Sequence, residues 1–441
     1  MRISSLIGHL AELLDTVQNS REPADIIVAR FFRTRRYLGA RDRRFIADHL
    51  FGILRDQRVL EALTREILGG PWKEADSRRV PPVAIALVRV ARSGTPLPGR
   101  EMEALRSFWD VLAPGVSWVS SEHLMREATR PPSVDPDPIR HISNVYSMPE
   151  YVTREWIERF GEQETGALCA ALNEAAPTTA RVNTLRCTPD ECRATLEEAG
   201  LQVRRGAFLP EAIIFARRPP IQTLEPFRRG WFEMQDEGSQ IISLFLSPAP
   251  GELIVDACAG AGGKALHCAA LMKNTGRIIA ADPAAQRLHR LKQRARRAGA
   301  SIIEIPPDGR VPRSVGARAD AVLVDAPCSG LGTLRRNPGA KARLTAESSR
   351  SYARSQYEIL VESARLVRPG GRMLYATCTL VRQENEDIVE RFCAAHPEFS
   401  VVPVQEAVHV RVLPELPGPY LALTPHQHGT DGFFGALLRR R

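Results

Sequence analysis

Hydrophobic positions recur at helical spacing along the first part of the chain. Leu6, Leu10 and Leu13 lie three or four residues apart, and a second set with the same spacing covers 46–54. Such spacing places the apolar side chains on one face of an α-helix, where they can pack against a neighbouring helix. We therefore predict an all-helical domain over residues 1–130.

A cluster of prolines interrupts this pattern. Arg130–Pro138 holds four prolines in nine residues. Because proline fixes φ and lacks a backbone N–H, the cluster cannot lie inside a helix or a central strand. We predict a linker at 131–145, followed by a small α+β domain over 146–235 with short strands such as 212–215.

From residue 236 onward, short apolar runs alternate with helical patterns. The runs cover 252–255, 277–280, 321–324 and 372–375. Alternation of this kind predicts a doubly wound α/β sheet over 236–441, whose ligands bind at the carboxyl ends of the strands. The helices predicted between the runs are 265–272, 284–298 and 352–367.

The charge of the chain favours an acidic polymer as a partner. The 441 residues carry a net charge of +9, and seven arginines fall within 30–45 beside a single acid. Arginine bonds phosphate through its planar fork, and the interleaved Phe and Tyr rings could stack on bases. The arginines that we predict to bind RNA are Arg33, Arg35, Arg36, Arg43, Arg44, Arg335 and Arg336.

Other classes of protein receive little support from the composition. No apolar run reaches the length of a membrane span, so we expect no membrane partner and a cytoplasmic location. The eight cysteines form no CxxC pair, which argues against a zinc site, and we predict no metal. A monomer is the default expectation for the oligomeric state.

A glycine-rich turn, Val255–Lys264, joins a predicted strand to a helix. Glycines let a ligand approach the backbone closely and leave the helix N-terminus open. The turn lacks the spelling of a Walker loop and of GxGxxG, but acids follow at later predicted strand ends. Asp282 is placed to hold a ribose, and Asp308 and Asp325 continue the series. This order predicts an adenosine-containing cofactor without a pyrophosphate, and S-adenosylmethionine fits it best.

Two cysteines stand at the ends of separate predicted strands. Cys328 lies in Asp325–Pro338, read DAPCSGLGTLRRNP, and Cys378 ends the run that begins at Met373. A thiolate that adds to carbon 6 of a pyrimidine makes carbon 5 nucleophilic toward a methyl donor. Asp325 could stabilise charge that develops on the base. For the remaining cysteines, a buried apolar role is the simpler interpretation.

These motifs together resemble the Rsm-B/Nop/Sun family of RNA 5-methylcytosine methyltransferases. The resemblance covers residues 145–441 and implies a class I methyltransferase Rossmann-like sheet with S-adenosylmethionine as cofactor. By this resemblance Cys378 is the nucleophile, Cys328 assists product release, and Lys264 and Asp325 belong to the catalytic group. The motifs that carry it are RVNTLR at 181–186, QDEGSQ at 235–240, the glycine turn, DAPCSGLGTLRRNP, YATCT at 375–379, Glu384-Asn385 and DGFF at 431–434. The cofactor contacts that it implies are Cys258, Ala259, Gly260, Ala261, Gly262, Gly263, Lys264, Asp282, Asp308 and Asp325.

Two departures and three alternatives accompany this interpretation. Ala261 replaces the family's usual proline and Ala265 its threonine, which changes the rigidity of the turn and leaves its glycines intact. The region 41–55 is similar to the NusB-like RNA-binding domain of bacterial ribosomal-RNA members, which favours 16S ribosomal RNA as substrate. The alternatives are a transfer-RNA enzyme, a DNA cytosine-5 methyltransferase that would use Cys328 as nucleophile, and a non-catalytic RNA-binding factor.

Overall fold

The computed structural model describes residues 1–20, 22–68, 80–113, 117–132, 134–407, 416 and 418–441, with the side chains of 108, 110 and 112 left aside. Within this part the chain forms two compact units. The helical unit comprises Met1–Glu174 and Leu334–Thr345, and the α/β unit comprises Ala175–Thr333 and Ala346–Arg441.

The helical unit is built from amphipathic helices around one apolar core. Leu10 on α1 and Ile85 on α5 are fully or almost fully buried, as the periodicity predicts. The all-helical prediction for this region is thereby confirmed. The described helices are α1 (Ile3–Gln18), α2 (Ala24–Thr34), α3 (Ala40–Arg55), α4 (Gln57–Leu68), α5 (Pro82–Arg92), α6 (Gly99–Leu112), α7 (Ser121–Ala128), α8 (Pro138–Val145) and α9 (Glu150–Asn173).

The segment that we predicted to be a linker, 131–145, is helical in its second half. Asp137 accepts a hydrogen bond from the backbone N–H of Ile139 at 2.9 Å, and Pro138 occupies the first helical position of α8. Proline is tolerated there because its missing N–H has no partner inside the helix anyway. The last proline of the cluster therefore begins a helix, while the domain boundaries proposed from the sequence stay predictions.

The α/β unit holds a small antiparallel sheet and a large mixed sheet. The small sheet has the strand order β2-β3-β1-β4. Its described elements are β1 (Thr178–Val182), α10 (Pro189–Glu198), β2 (Val203–Arg205), β3 (Ala212–Phe215), α11 (Glu225–Arg228) and β4 (Phe232–Met234).

The large sheet is the doubly wound sheet that the alternating pattern predicts. Its strand order is β10-β12-β9-β8-β5-β6-β7, with β11 beside β12, and the strands from β9 to β7 run parallel. The described elements are α12 (Glu237–Phe245), β5 (Leu253–Asp256), α13 (Gly263–Leu271), β6 (Arg277–Ala280), α14 (Ala285–Ala298), β7 (Ile303–Glu304), β8 (Ala319–Asp325), α15 (Ala346–Ala364), β9 (Val367–Thr377), α16 (Glu386–Ala395), β10 (Phe399–Val402), β11 (Leu421–Leu423), α17 (Pro425–His428) and β12 (Phe433–Arg440).

One element boundary differs from the sequence prediction. The helix expected at 352–367 is α15, which begins earlier and ends at Ala364, while Val367 already opens strand β9. Val367 pairs with Ala319 of β8 in the parallel register, and it is fully buried. Sheet pairing therefore overrides the helical continuation, because a buried β-branched residue packs well on a pleated surface.

The topology brings every candidate residue of the sheet to one edge. Because β9, β8, β5, β6 and β7 are parallel neighbours in that order, their carboxyl ends meet side by side. Along this edge follow, in order, Cys378, Asp325, the glycine turn, Asp282 and Asp308. Ligands of open α/β sheets bind at such an edge.

Candidate active site

The two cysteines predicted from the sequence meet at this edge. The Sγ atoms of Cys328 and Cys378 lie 3.4 Å apart, and both side chains are partly exposed. They meet because β8 and β9 are adjacent and Asp325 stands in register with Ala376. The hydrogen bond with Cys378 and then burial raise the pKa of Cys328 well above its usual value. Cys328 is accordingly a thiol, within hydrogen-bond distance of the sulfur of Cys378.

Lys264 and Asp325 form an ion pair beside the cysteines. The Nζ of Lys264 donates to Oδ2 of Asp325 at 2.6 Å, and the lysine side chain is only 10% exposed. Burial by itself lowers the pKa of Lys264. The charge and hydrogen bond of Asp325, and then Cys378, raise it by more, so the pKa lies above its usual value. The lysine therefore stays cationic and places a positive charge beside the two sulfur atoms.

A buried acid lies beneath this pair. Asp256, the last residue of β5, is 2% exposed. Burial, followed by the negative charge of Asp325, raises the pKa of Asp256 to about 7. Two carboxyl groups and one lysine thus lie close together, and Asp256 is the acid whose proton is held to near neutral pH.

Glu384, which the sequence analysis names only as part of a family motif, holds the Cys328 loop. The buried carboxylate of Glu384 accepts hydrogen bonds from the backbone N–H of Ser329 at 2.9 Å, from the hydroxyl of Ser349 at 2.9 Å and from Nε2 of Gln356 at 3.0 Å. The hydroxyl of Tyr375 donates to the backbone carbonyl of Glu384 at 2.6 Å. Glu384 therefore links the loop after β8 to α15 and to β9.

The Cys378 turn has a corresponding partner in Asn385. The hydroxyl of Thr377 donates to Oδ1 of Asn385 at 2.6 Å, and Nδ2 of Asn385 donates to the carbonyl of Thr379 at 3.1 Å. The backbone N–H of Gly332 donates to the carbonyl of Cys378 at 2.9 Å, which joins the two loops. Sequence reasoning missed these positioning roles, although an adjacent acid and amide soon after the Thr-Cys strand was a usable signal.

The glycine turn has the open backbone that a cofactor needs. Gly262 has φ +83, and a Cβ there would lie 2.0 Å from Cδ1 of Leu291, whereas a Cβ at Gly260 would meet nothing within 4 Å. The N–H of Gly260 donates to Oδ2 of Asp282 at 3.0 Å, and Arg294 donates to the carbonyl of Ala261 at 2.7 Å. The turn is therefore held from both sides while its ligand-facing surface stays free of side chains.

A cavity of 440 Å³ lies along the ends of β6 and β7. Asp282, which is 4% exposed, and the exposed Asp308 line it together with apolar side chains such as Ile305 and Pro306. A carboxylate beside an apolar wall matches a ribose joined to a flat base. The residues that line this cavity thus fit an adenosine-containing cofactor.

The structure divides the predicted RNA-binding arginines into two groups. Arg33, Arg36 and Arg44 are exposed, as is Arg336. Arg35 lies 3.8 Å above the ring of Phe31 and pairs with Glu12, Arg43 donates to the carbonyl of Leu38 at 2.8 Å, and Arg335 is only 6% exposed. The members of this second group have structural contacts that limit their reach toward a phosphate.

Two classes of site find no support in the described residues. The part of the chain that the structure describes holds no group of three His, Cys, Asp or Glu side chains suited to a metal ion. Among its described helices, none is both long enough and apolar enough to cross a membrane.

The class I sheet, with a glycine turn and acids at the ends of successive strands, is that of an S-adenosylmethionine-dependent methyltransferase. The family model for the 16S rRNA methyltransferase RsmB/F matches residues 243–439, and that for the RsmF/B-like ferredoxin-like domain matches 148–222. The chain belongs to the RsmB/F family of methyltransferases.

Individual relatives extend the similarity over most of the chain. A Bacillus subtilis protein named "Probable ribosomal RNA small subunit methyltransferase B" is 32% identical over 309 residues, which are 69% of this chain and 69% of that protein. A Synechocystis protein of the same name is 30% identical over 412 residues, which are 90% of this chain and 91% of that protein.

Solved structures share the fold. The crystal structure of PH0851 superposes with a TM-score of 0.78 at 28% identity and covers 100% of this chain and 99% of its own. NSun6 from Pyrococcus horikoshii, solved with the S-adenosylmethionine analogue SFG, has a TM-score of 0.58 at 22% identity and covers 66% of this chain and 98% of its own.

Proposed function

We propose that this methyltransferase modifies carbon 5 of a cytosine in 16S ribosomal RNA through a covalent adduct on Cys378. The observation that carries the proposal is the pair of sulfur atoms 3.4 Å apart, next to the Lys264–Asp325 ion pair. A binding protein has no use for two facing thiols beside a buried lysine–carboxylate pair. The RNA class is supported by the names of the relatives and by the exposed arginines of the helical unit.

The chemistry begins with the thiolate of Cys378, which adds to carbon 6 of the ring. Lys264 stabilises this thiolate electrostatically, and Asp325 keeps the lysine in place and lies within the same site for contact with the base. The electron pair displaced from the 5,6 double bond makes carbon 5 nucleophilic. S-adenosylmethionine, when bound, would supply the methyl group as an electrophile and leave as the neutral thioether S-adenosylhomocysteine.

Release reverses the addition. A base removes the proton from carbon 5, the 5,6 double bond forms again, and the bond between carbon 6 and the sulfur of Cys378 breaks with its electron pair on sulfur. Cys328 helps here, because a thiol with a raised pKa can donate its S–H to the departing thiolate. The raised pKa keeps that proton on Cys328 at physiological pH.

A denaturing gel tests these roles. The full-length wild type, Cys378→Ala and Cys328→Ala are incubated with methyl-labelled S-adenosylmethionine and 16S ribosomal RNA. We expect the wild type to label RNA, Cys328→Ala to accumulate a covalent protein–RNA band, and Cys378→Ala to give neither band nor product. Methylation by Cys378→Ala would overturn the nucleophile assignment.

Parallel incubations test the substrate class. Transfer RNA and duplex DNA replace the ribosomal RNA under the same conditions, and bisulfite sequencing of labelled RNA reports cytosine C5 methylation. Preferential labelling of either replacement would overturn the ribosomal part of the proposal. An absence of methyl transfer to every nucleic acid would overturn the enzymatic part.

A further inference from the structure

A short stretch of the methyltransferase sequence is built into the helical unit. Leu334–Thr345 directly follows the Cys328 loop in the chain, yet it packs as part of the helical unit. Its 3₁₀ turn, Pro338–Arg343, lies against α3. At Gly339 a Cβ would lie 3.4 Å from side-chain atoms of both Ala24 and Leu54. We call this stretch, 334–345, the strap.

Lys341 is the polar anchor of the strap. The residue is 7% exposed, and its Nζ donates to the carbonyl of Arg55 at 3.0 Å, to the carbonyl of Tyr146 at 2.9 Å and to Oδ1 of Asn173. The three acceptors are neutral oxygens, and together they match the three N–H donors of an ammonium group.

The three acceptors share a position in the fold. Arg55 is the last residue of α3, Tyr146 caps the C-terminus of α8, and Asn173 is the last residue of α9. The last carbonyls of a helix lack intrahelical partners and carry the negative end of the helix dipole. A single ammonium group from the strap thus serves backbone carbonyls at the ends of α3 and α8 and the side-chain amide oxygen of the last residue of α9.

Charge is essential to this arrangement. Burial lowers the pKa of Lys341 to about 8, while the negative charge of Asp56 opposes the shift and the positive charge of Arg55 adds to it. At neutral pH the ammonium form still predominates. A neutral side chain at 341 would remove the Lys341 donor from the carbonyl of Arg55 and from Oδ1 of Asn173, while the carbonyl of Tyr146 would keep the Nδ2 of Asn173 at 3.0 Å. Loss of a donor to a buried acceptor is costly.

Both ends of the strap lead into the framework that holds Cys328. Upstream, Thr333 is followed by Leu334, and Gly332 joins the Cys378 turn through its N–H. Downstream, the strap runs into α15, whose Ser349 and Gln356 donate to Glu384. Since Glu384 also accepts the N–H of Ser329, a displaced strap would strain the loop from either end.

We propose that Lys341 is a positioning residue that fixes the Cys328 loop through the strap, so that release of the covalent adduct depends on the helical unit. The inference rests on the proposed function, because it assigns Cys328 to the release step. It predicts a specific defect: addition to the base and methyl transfer proceed, while elimination of the thiolate slows.

The experiment compares three changes in the full-length protein. Lys341→Met removes the charge and the donors but keeps a long side chain. Arg343→Met is the matched control, because Arg343 lies in the same strap and is exposed. Insertion of two glycines between Thr333 and Leu334 leaves the anchor intact but lengthens its connection to the Cys328 loop.

Each variant is mixed with labelled S-adenosylmethionine and 16S ribosomal RNA, and three quantities are read: the first-turnover methylation rate, the ratio of covalent adduct to released product, and the thermal unfolding midpoint. We expect Lys341→Met and the glycine insertion to raise the adduct ratio about fivefold or more, a loss comparable to one charge-assisted hydrogen bond. The first-turnover methylation rate should stay within about twofold of the wild-type rate. Arg343→Met should match wild type throughout.

Three outcomes separate the possibilities. If Lys341→Met lowers the unfolding midpoint and reduces every step in the same proportion, and the glycine insertion releases product normally, Lys341 is only structural and the inference is overturned. If the adduct ratio is unchanged in both variants, it is likewise overturned. If wild type transfers no methyl group, or Cys328→Ala forms no adduct, the proposed function itself has failed, which is a different result.

Discussion

Removal of the Glu384 carboxylate is the perturbation that bears most directly on the Cys328 loop. Glu384 is fully buried and accepts three hydrogen bonds, from Ser329, Ser349 and Gln356. Glu384→Ala strands all three donors, whereas Glu384→Gln keeps an acceptor oxygen. The two substitutions therefore separate loss of hydrogen bonds from loss of charge.

The magnitude follows from the geometry. Each buried donor left without a partner costs about 1–3 kcal/mol, so Glu384→Ala should lower the free energy of unfolding by about 3 kcal/mol or more. In Glu384→Gln the amide oxygen can accept from both Ser329 and Gln356, and the Ser349 hydroxyl can turn to accept from the amide nitrogen. That variant should lose only about 1 kcal/mol, the difference between a charge-assisted and a neutral set of bonds.

Urea unfolding gives the stability change, and the denaturing gel gives the adduct ratio. We expect adduct to accumulate in Glu384→Ala, because the N–H of Ser329 next to Cys328 loses its acceptor, and much less in Glu384→Gln. A loss of under about 1 kcal/mol in Glu384→Ala would refute the reasoning, since three stranded donors cannot cost so little. Equal damage in both variants would show that the charge and not the hydrogen-bond pattern holds the loop.

Further predictions concern the turn, the buried acid and the RNA-binding surface. Gly262→Ala should destabilise the protein by about 2 kcal/mol more than Gly260→Ala in urea unfolding. Both positions have positive φ, but only at Gly262 would a Cβ clash with Leu291. Equal losses of stability would contradict this. The pKa of Asp256 is about 7 in the folded state and 3.8 in the unfolded chain. The folded state therefore binds more protons between these two pH values. The free energy of unfolding should fall as the pH rises from about 4 to about 7. Asp256→Asn should flatten that slope in unfolding measured at several pH values, and an unchanged slope would argue against the assignment. The double variant Arg33→Gln, Arg36→Gln should reduce the slope of log binding constant against log salt concentration by about 1.5 for RNA. The control double variant Arg100→Gln, Arg106→Gln on the same unit should leave this slope unchanged. Equal reductions in both would place the RNA elsewhere.

Much of the fold follows from local patterns. Helical periodicity in the first part of the chain and the alternation from 236 onward each depend on neighbouring residues, so the helices and the doubly wound sheet could be predicted. The cofactor follows from the same source, because the glycine turn and Asp282 stand at consecutive strand ends. The two cysteines could be recognised as a chemical pair because both end strands.

Long-range packing decided the rest. The end of α15 and the early start of β9 depend on the pairing of Val367 with Ala319, which no local window contains. The sequence likewise does not distinguish an exposed arginine from a buried one. Only the structure shows that Arg33 is exposed and Arg335 is buried.

The sequence by itself determined the kind of sheet and the cofactor class, because both follow from local spacing and residue type, and the family resemblance supplied the candidate catalytic residues. The tertiary structure decided how those residues are held: Glu384 beneath the Cys328 loop, Asn385 behind the Cys378 turn, and Lys341 at three helix ends. These partners lie up to 286 residues apart in the chain. A buried polar group must find its partner in space, and only the folded chain determines which one it meets.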